Sequence, residues 1–363
     1  MKNYPIASLA LSLALAQWTF SQDLAPEEFR VTYGEENGGE HIVFIAGERE
    51  YRSEESLPAL ARILAQHHDF RCTVLFTLAN DGTIEPQGPN LRGLEILYEA
   101  DLLFMFMRFL NLPDEEMDHF DAYVESGKPI IGLRTSTHAF RIPEGPWQKY
   151  DSTYQGKEFV GGFGRQVLGE TWVAHHGDNH VQGTRLIPLP HRSEHPVLTG
   201  VGEMFVMTGG YLTSPREGSW PLVMAQPLME MNADAEPHPA LHAVPAVWTR
   251  TRDVGERGRV LACMHGSSLD LLDSDFRRML VNACFWALNL EEQITPDLDI
   301  RFVGPFEPTL FASYAWKRGV VPADLEGYTS LIMPGDSPIA PDSFLKRLED
   351  RKSKWKALEA GEP

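Results

Sequence analysis

Four short apolar runs, separated by polar connecting chain, constrain this sequence more than any other feature. They are His41-Ile42-Val43-Phe44-Ile45-Ala46, Arg71 to Phe76, Asp101 to Met107, and Lys128 to Leu133. Each has strand length, and none alternates apolar with polar, so each reads as a strand buried on both faces. Between the first two, Ser56 reads as an N-cap, with Pro58 in the first turn and Leu60, Ile63 and Leu64 on one face. A long loop, Leu78 to Arg92, precedes the third run. Pro113-Asp114-Glu115-Glu116 opens a helix before the fourth, its acids complementing the helix dipole, and Gly127 ends it. Strands of this kind joined by helices predict an α/β fold with a doubly wound, mostly parallel sheet.

The rest of the chain is less regular. Gly161-Gly162-Phe163-Gly164 lacks the helix and Lys-Ser/Thr of a phosphate loop and reads as tight turns around Phe163. Val244 to Arg250 and Arg259 to Met264 read as paired strands, and Asp273-Ser274-Asp275 caps a helix that runs through Leu288. From Thr295 to Pro341 proline is frequent and periodicity weak, which predicts an extended C-terminal tail. Ser343 to Ala360 is charged and reads as a frayed terminal helix. At the other end, Lys2, the apolar run Ile6 to Leu15 and Ala14-Leu15-Ala16 have the order of a secretory signal peptide. Export to a periplasm or beyond is the expectation, with the residues that follow up to Gly39 polar and patternless.

Charge narrows the partners. The formal net charge is -19, from 51 acidic and 32 basic residues. Such a surface repels phosphate backbones and anionic lipid, which argues against nucleic acid and, once the signal is removed, against membrane. Cys72, Cys263 and Cys284 lie in apolar surroundings and read as buried free thiols.

Open α/β sheets bind ligands at the carboxyl ends of their strands. Here those ends carry Gly47-Glu48-Arg49-Glu50-Tyr51-Arg52, then Arg108-Phe109, then Arg134-Thr135-Ser136-Thr137-His138. His265 follows the Val260 to Met264 run in the same way. His175, His176, Asp178, His180, His191 and His195 form a histidine-rich stretch that matches no zinc spacing, and adjacent histidines on a strand face opposite ways. Glu48, His138, His176 and His265 are the candidate acid/base groups. Glu50, Tyr51, Arg108, Arg134, Thr135 and Thr137 are the candidate substrate contacts, and no residue is assigned to a metal.

In combination these segments resemble the ThuA-like (trehalose-utilisation) domain family, in its larger secreted bacterial members. The resemblance is carried by His41 to Tyr51, Gly132 to Phe140, Gly162-Phe163-Gly164-Arg165 with Leu168 to Val173, His175-His176-Gly177, His195-Pro196-Val197-Leu198 and Arg277 to Leu290. It implies a flavodoxin-like, class I glutamine-amidotransferase-like domain over residues 39–290, after a signal peptide at 1–22 and before a C-terminal extension at 291–363. Amidotransferases of that class place a nucleophilic cysteine on the turn after a strand. The matching turn here, Arg134-Thr135-Ser136-Thr137, has none, so cysteine-dependent glutaminase chemistry is rejected. Ser136 also lacks the Gly-x-Ser-x-Gly elbow.

The family's association with trehalose and related disaccharides, through 3-keto-glycosides, implies a small carbohydrate as partner. Two readings stand. One is an exported carbohydrate-active enzyme using acid/base chemistry. The other is a non-catalytic sugar-binding or scaffold protein. No cofactor is required by either; a divalent metal and a homo-oligomer are left open.

Overall fold

The computed structural model describes residues 24–88 and 90–359, so the expected signal peptide lies outside the described residues. The first half contains β1 (Arg30–Tyr33), β2 (His41–Gly47), α1 (Ser53–His68), β3 (Arg71–Phe76), β4 (Leu102–Met107), α2 (Asp114–Ser126) and β5 (Ile130–Leu133). Then come β6 (His175–His176), β7 (Thr184–Pro188), β8 (Met204–Val206), β9 (Gly210–Tyr211), β10 (Trp220–Pro227), β11 (Val244–Thr251) and β12 (Arg259–Cys263). Two helices complete the chain, α3 (Ser274–Ala287) and α4 (Asp342–Glu359). No helix among the described residues is long and apolar enough to cross a membrane.

The fold is α/β, built on a large mixed sheet in the order β1-β3-β2-β4-β5-β12-β11-β10-β7-β8. β3, β2, β4, β5 and β12 are parallel, and these are the unbroken apolar runs of the sequence. Every residue of β2 and β4 is buried, which requires cover on both faces. β11 pairs with β12 antiparallel, as the two runs predict, and β10, β7 and β8 continue the sheet antiparallel. Asp273 caps α3 by accepting from the backbone N–H groups of Asp275 and Phe276. The three cysteines are free and buried.

Some elements differ from expectation. Arg30–Tyr33, within chain that reads as patternless, is an edge strand whose Val31 and Tyr33 are buried while Thr32 is exposed. α1 starts at Ser53, earlier than a cap at Ser56 implies. Arg52 turns the chain in a left-handed conformation (φ 64°), and Ser53 Oγ bonds back to Glu48, which closes the loop sooner. Pro58 therefore lies inside the helix. The Gly-rich segment does form tight turns, with Gly161 and Gly162 at φ 81° and 68°. A Cβ on Gly164 would approach the Thr137 carbonyl oxygen to 1.8 Å, so only glycine lets this turn pack against the end of β5.

From Leu298 to Met333 the chain forms neither strand nor α-helix, yet Phe311, Val320, Leu325, Ile332 and Met333 are buried in the core. Arg62 of α1 fastens this segment, donating to the carbonyls of Ser330 (2.8 Å) and Leu325 (2.9 Å) and to Ser330 Oγ (2.7 Å). Replacing Arg62 by methionine strands those acceptors. A loss of about 2–3 kcal/mol in urea unfolding is expected, with earlier proteolytic cleavage between residues 298 and 333.

His41, at the start of β2, is the clearest acid-sensitive element of the sheet. Its Nε2 lies 2.9 Å from Thr73 Oγ1, and it is buried. Burial, and then the charge of Arg71, hold its imidazole down at about 4 from an ordinary 6.5. Between those values the unfolded chain binds the proton and the folded chain does not, so stability falls as pH falls from 6.5 toward 4. The contribution is roughly 2–3 kcal/mol. Urea unfolding at pH 7 and pH 4 should show His41→Gln losing less stability than wild type by about that amount.

Candidate functional site

The order of the parallel strands reverses between β2 and β4, and the carboxyl ends of these two strands supply the first site residues. Glu48 follows β2 and is fully buried. Its Oε2 accepts from Tyr51 N at 2.5 Å. Arg108 follows β4 and brings Nη1 to 3.4 Å from Glu48 Oε1 and 2.5 Å from Glu50 Oε2. One guanidinium therefore serves two carboxylates of unequal environment. Burial pushes Glu48 above the ordinary glutamate value despite the pull of Arg108. Burial also acts to raise Glu50, but Arg108, Arg134 and His175 outweigh it and bring Glu50 below that value. Arg108 stays charged: burial opposes its charge, and the two glutamates more than restore it.

The turn after β5 builds the floor. Arg134 adopts φ 42° and is fully buried. Its Nη1 donates to the carbonyls of Gly209 (2.7 Å) and Met264 (3.2 Å), and its guanidinium lies over the Tyr51 ring at 3.7 Å and the Tyr211 ring at 4.9 Å. Tyr51 OH accepts from Asn179 Nδ2 at 2.7 Å. Ser136 Oγ donates to Met105 O at 2.9 Å and accepts from Met107 N, so its hydroxyl ties two backbones and is no nucleophile. Thr137 Oγ1 donates to Arg134 O and lies 3.2 Å from His138 Nδ1, while the buried Thr135 hydroxyl has no partner among the described residues. The His138 ring packs against Phe109 (4.9 Å), Trp172 (5.6 Å) and Tyr211 (5.8 Å). Burial, then the charges of Arg108 and Arg134, hold this imidazole well below its usual value, so it is neutral.

β6 and β9 form a small ribbon beside the cluster, pairing His175 with Tyr211 and His176 with Gly210. Successive side chains on a strand face opposite ways. His175 is exposed, with its ring 5.6 Å from Tyr211 and 5.7 Å from Trp172. His176 turns the other way and places Nε2 at 2.7 Å from His242 O. His265 is fully buried behind Arg134. Its Nδ1 is 3.2 Å from Thr208 Oγ1, which donates to Asp270 Oδ2 at 2.8 Å. Because Thr208 gives its proton to Asp270, His265 must donate from Nδ1.

The structure thus brings Glu48, Glu50, Tyr51, Arg108, Arg134 and His138 together, with Thr135 and Thr137 beneath. It places His265 behind the cluster and His176 outside it. The groups that reach solvent are Glu50, Arg108, His175 and Trp172, the last 39% exposed. His175, Tyr211, Trp172 and Asn179 were not expected. Of the paired histidines the sequence reading favours His176, but His176 turns away to His242 O and it is His175 that faces the cluster. A cavity of about 300 Å³ adjoins Glu50 and runs beneath α4. Among the described residues no three His, Cys, Asp or Glu side chains are grouped to hold a metal ion.

The sequence matches the ThuA family, described as trehalose utilisation, over residues 42–287. No curated protein matches it. Similar solved structures include a ThuA-like protein from Parabacteroides merdae ATCC 43184, at 16% identity and TM-score 0.43, covering 75% of this chain and 95% of that one. A ThuA-like protein from Bacteroides uniformis ATCC 8492 has the same identity and TM-score, with 72% of this chain and 95% of that chain covered.

Proposed function

The chain belongs to the ThuA trehalose-utilisation family, and on that premise we propose that it is an enzyme acting on a glycoside or 3-keto-glycoside by acid/base chemistry. The observation that carries the reading is the splitting of Glu48 and Glu50 around Arg108, one carboxyl pushed up and the other held down. Two carboxyls driven apart by their surroundings are the signature of groups with separate roles. Glu50, ionised and half-buried, is the base that takes a proton from carbon next to a sugar ketone. Arg108 holds the charge that develops on the ketone oxygen. His175, exposed at one edge but partly desolvated by the surrounding cluster and beside the charge of Arg134, is held below the ordinary histidine value and moves the proton to the departing oxygen. Glu48 stays behind Arg108 and fixes its direction.

The same proposal takes the domain as a doubly wound relative of class I glutamine amidotransferases. The parallel strand order, 2-1-3-4-5 when these strands are numbered among themselves, supports that relation. It also takes residues 1–22 as an export signal and the mature protein as periplasmic or extracellular. The exposed Trp172 face beside neutral histidines favours the second reading, a sugar-binding protein without turnover.

A panel of glycosides and 3-keto-glycosides, tested for both binding and turnover across pH, separates the two. The enzyme reading expects turnover whose acid limb lies below the ordinary glutamate value, as the depressed Glu50 requires. Binding without turnover across the panel establishes the alternative. Absence of both rejects the carbohydrate site.

A further inference from the structure

The cavity beside Glu50 has an unusual wall. Phe344, Arg347, Leu348 and Arg351 of α4 line it, a spacing that puts all four on one helix face. Arg49 and His180 line it from the body. The helix is seated by the Phe344 ring, 5.3 Å from His180 and 4.9 Å from Tyr314. Arg351 Nη1 donates to Asn179 O at 3.2 Å, and Trp355 Nε1 donates to Met229 O at 2.6 Å.

Three arginines, all largely exposed, therefore line one cavity in a chain of net charge -19. Among the described residues none of the three is within ion-pair distance of a carboxylate. The one acid lining the cavity among the described residues, Glu50, is already bonded to Arg108. Helix stability does not account for the arrangement, because like charges at i and i+4 weaken a helix. The cavity also communicates with the site. After partial desolvation, the charge of Arg351 is among those that hold both His175 and His180 down, His180 to about 4. Its volume is at the lower end of small-ligand pockets, about 300–1,000 Å³.

Resting on the carbohydrate reading above, we infer that Arg49, Arg347 and Arg351 form an anion subsite and that the substrate is an acidic sugar. Its carboxylate or phosphate lies among the three guanidiniums and its ring lies toward Glu50 and His175. Guanidinium forks match both anions with paired hydrogen bonds. The substrate class thus narrows from glycosides in general to uronate-bearing or phosphorylated ones.

Calorimetric titration of the full chain with methyl glucuronide, glucose 6-phosphate and methyl glucoside tests this. At least one anionic ligand is expected to bind about tenfold or more tightly than the neutral one, and which of the two does so identifies the anion. In the Arg347→Gln/Arg351→Gln variant the preference should fall to about one. Arg347→Lys/Arg351→Lys keeps the charge but not the fork, and should retain a preference reduced about threefold. Lys346→Gln/Lys354→Gln, the same loss of charge on the same helix outside the cavity, should retain the full preference. Equal binding of neutral and anionic sugars overturns the subsite and leaves the carbohydrate reading standing. A preference that survives the glutamine variant, or is lost equally in the Lys346→Gln/Lys354→Gln control, also overturns it. Failure of all three ligands to bind overturns the subsite, and the carbohydrate reading then stands or falls on the panel that includes 3-keto-glycosides.

Discussion

Replacing Arg134 by alanine is expected to lower stability by about 3–5 kcal/mol, a large effect for one residue. The guanidinium is wholly buried and holds the carbonyls of Gly209 and Met264, which come from two different parts of the chain. Its removal leaves both acceptors without a partner, at about 1–3 kcal/mol each. It also empties the space between the Tyr51 and Tyr211 rings, and close-packed surroundings relax only in part around such a void. Lysine should recover less than half of the loss, since one ammonium cannot lie flat between two rings and also reach two carbonyls. Urea unfolding measures the difference. A cost under about 1 kcal/mol for alanine would mean that Gly209 and Met264 find other donors, and that Arg134 is not what binds the β6–β9 ribbon to the sheet.

The centre of the sheet was legible because strands buried on both faces must be apolar along their whole length. Residues directly after such strands are also forced to the carboxyl edge, which is why Glu48, Glu50, Tyr51, Arg108, Arg134 and His138 fall together. The same rule placed His265 at a strand end but could not foresee Thr208 and Asp270, which close over it from elsewhere in the chain. β7, β8 and β10 were not legible. They are antiparallel, mix buried with half-exposed positions, and in β10 the register shifts at a bulge, so no clean period survives. The choice between His175 and His176 depends on which face of the β6–β9 ribbon packs on the site, a long-range fact. α4 reads as a charged helix on its own. Only its contacts with His180, Tyr314, Asn179 and Met229 reveal that Arg347 and Arg351 border a cavity of the body.

Glu50→Gln is expected to lower turnover of a sugar substrate by about 10²- to 10⁴-fold, the range for loss of a positioned base. The fold should survive, because glutamine keeps the shape and an oxygen that still accepts from Arg108. Glu48→Gln provides the contrast. Glu48 is fully buried and touches no solvent, so its route to the reaction runs through Arg108. With one carboxylate fewer, Arg108 is less firmly aimed and Glu50 becomes its main partner. The expected result is a fall in kcat of about tenfold, with KM little changed, as expected for charge stabilisation needed mainly in the transition state. The pH profile separates the two roles further. Removing Glu50 abolishes the acid limb below the ordinary glutamate value. Removing Glu48 should leave that limb nearly in place, because Glu48, held above the ordinary value, already carries its proton in the range where Glu50 titrates. A Glu50→Gln enzyme within about tenfold of wild type would transfer the base to His175, the other exposed titratable group beside Arg108.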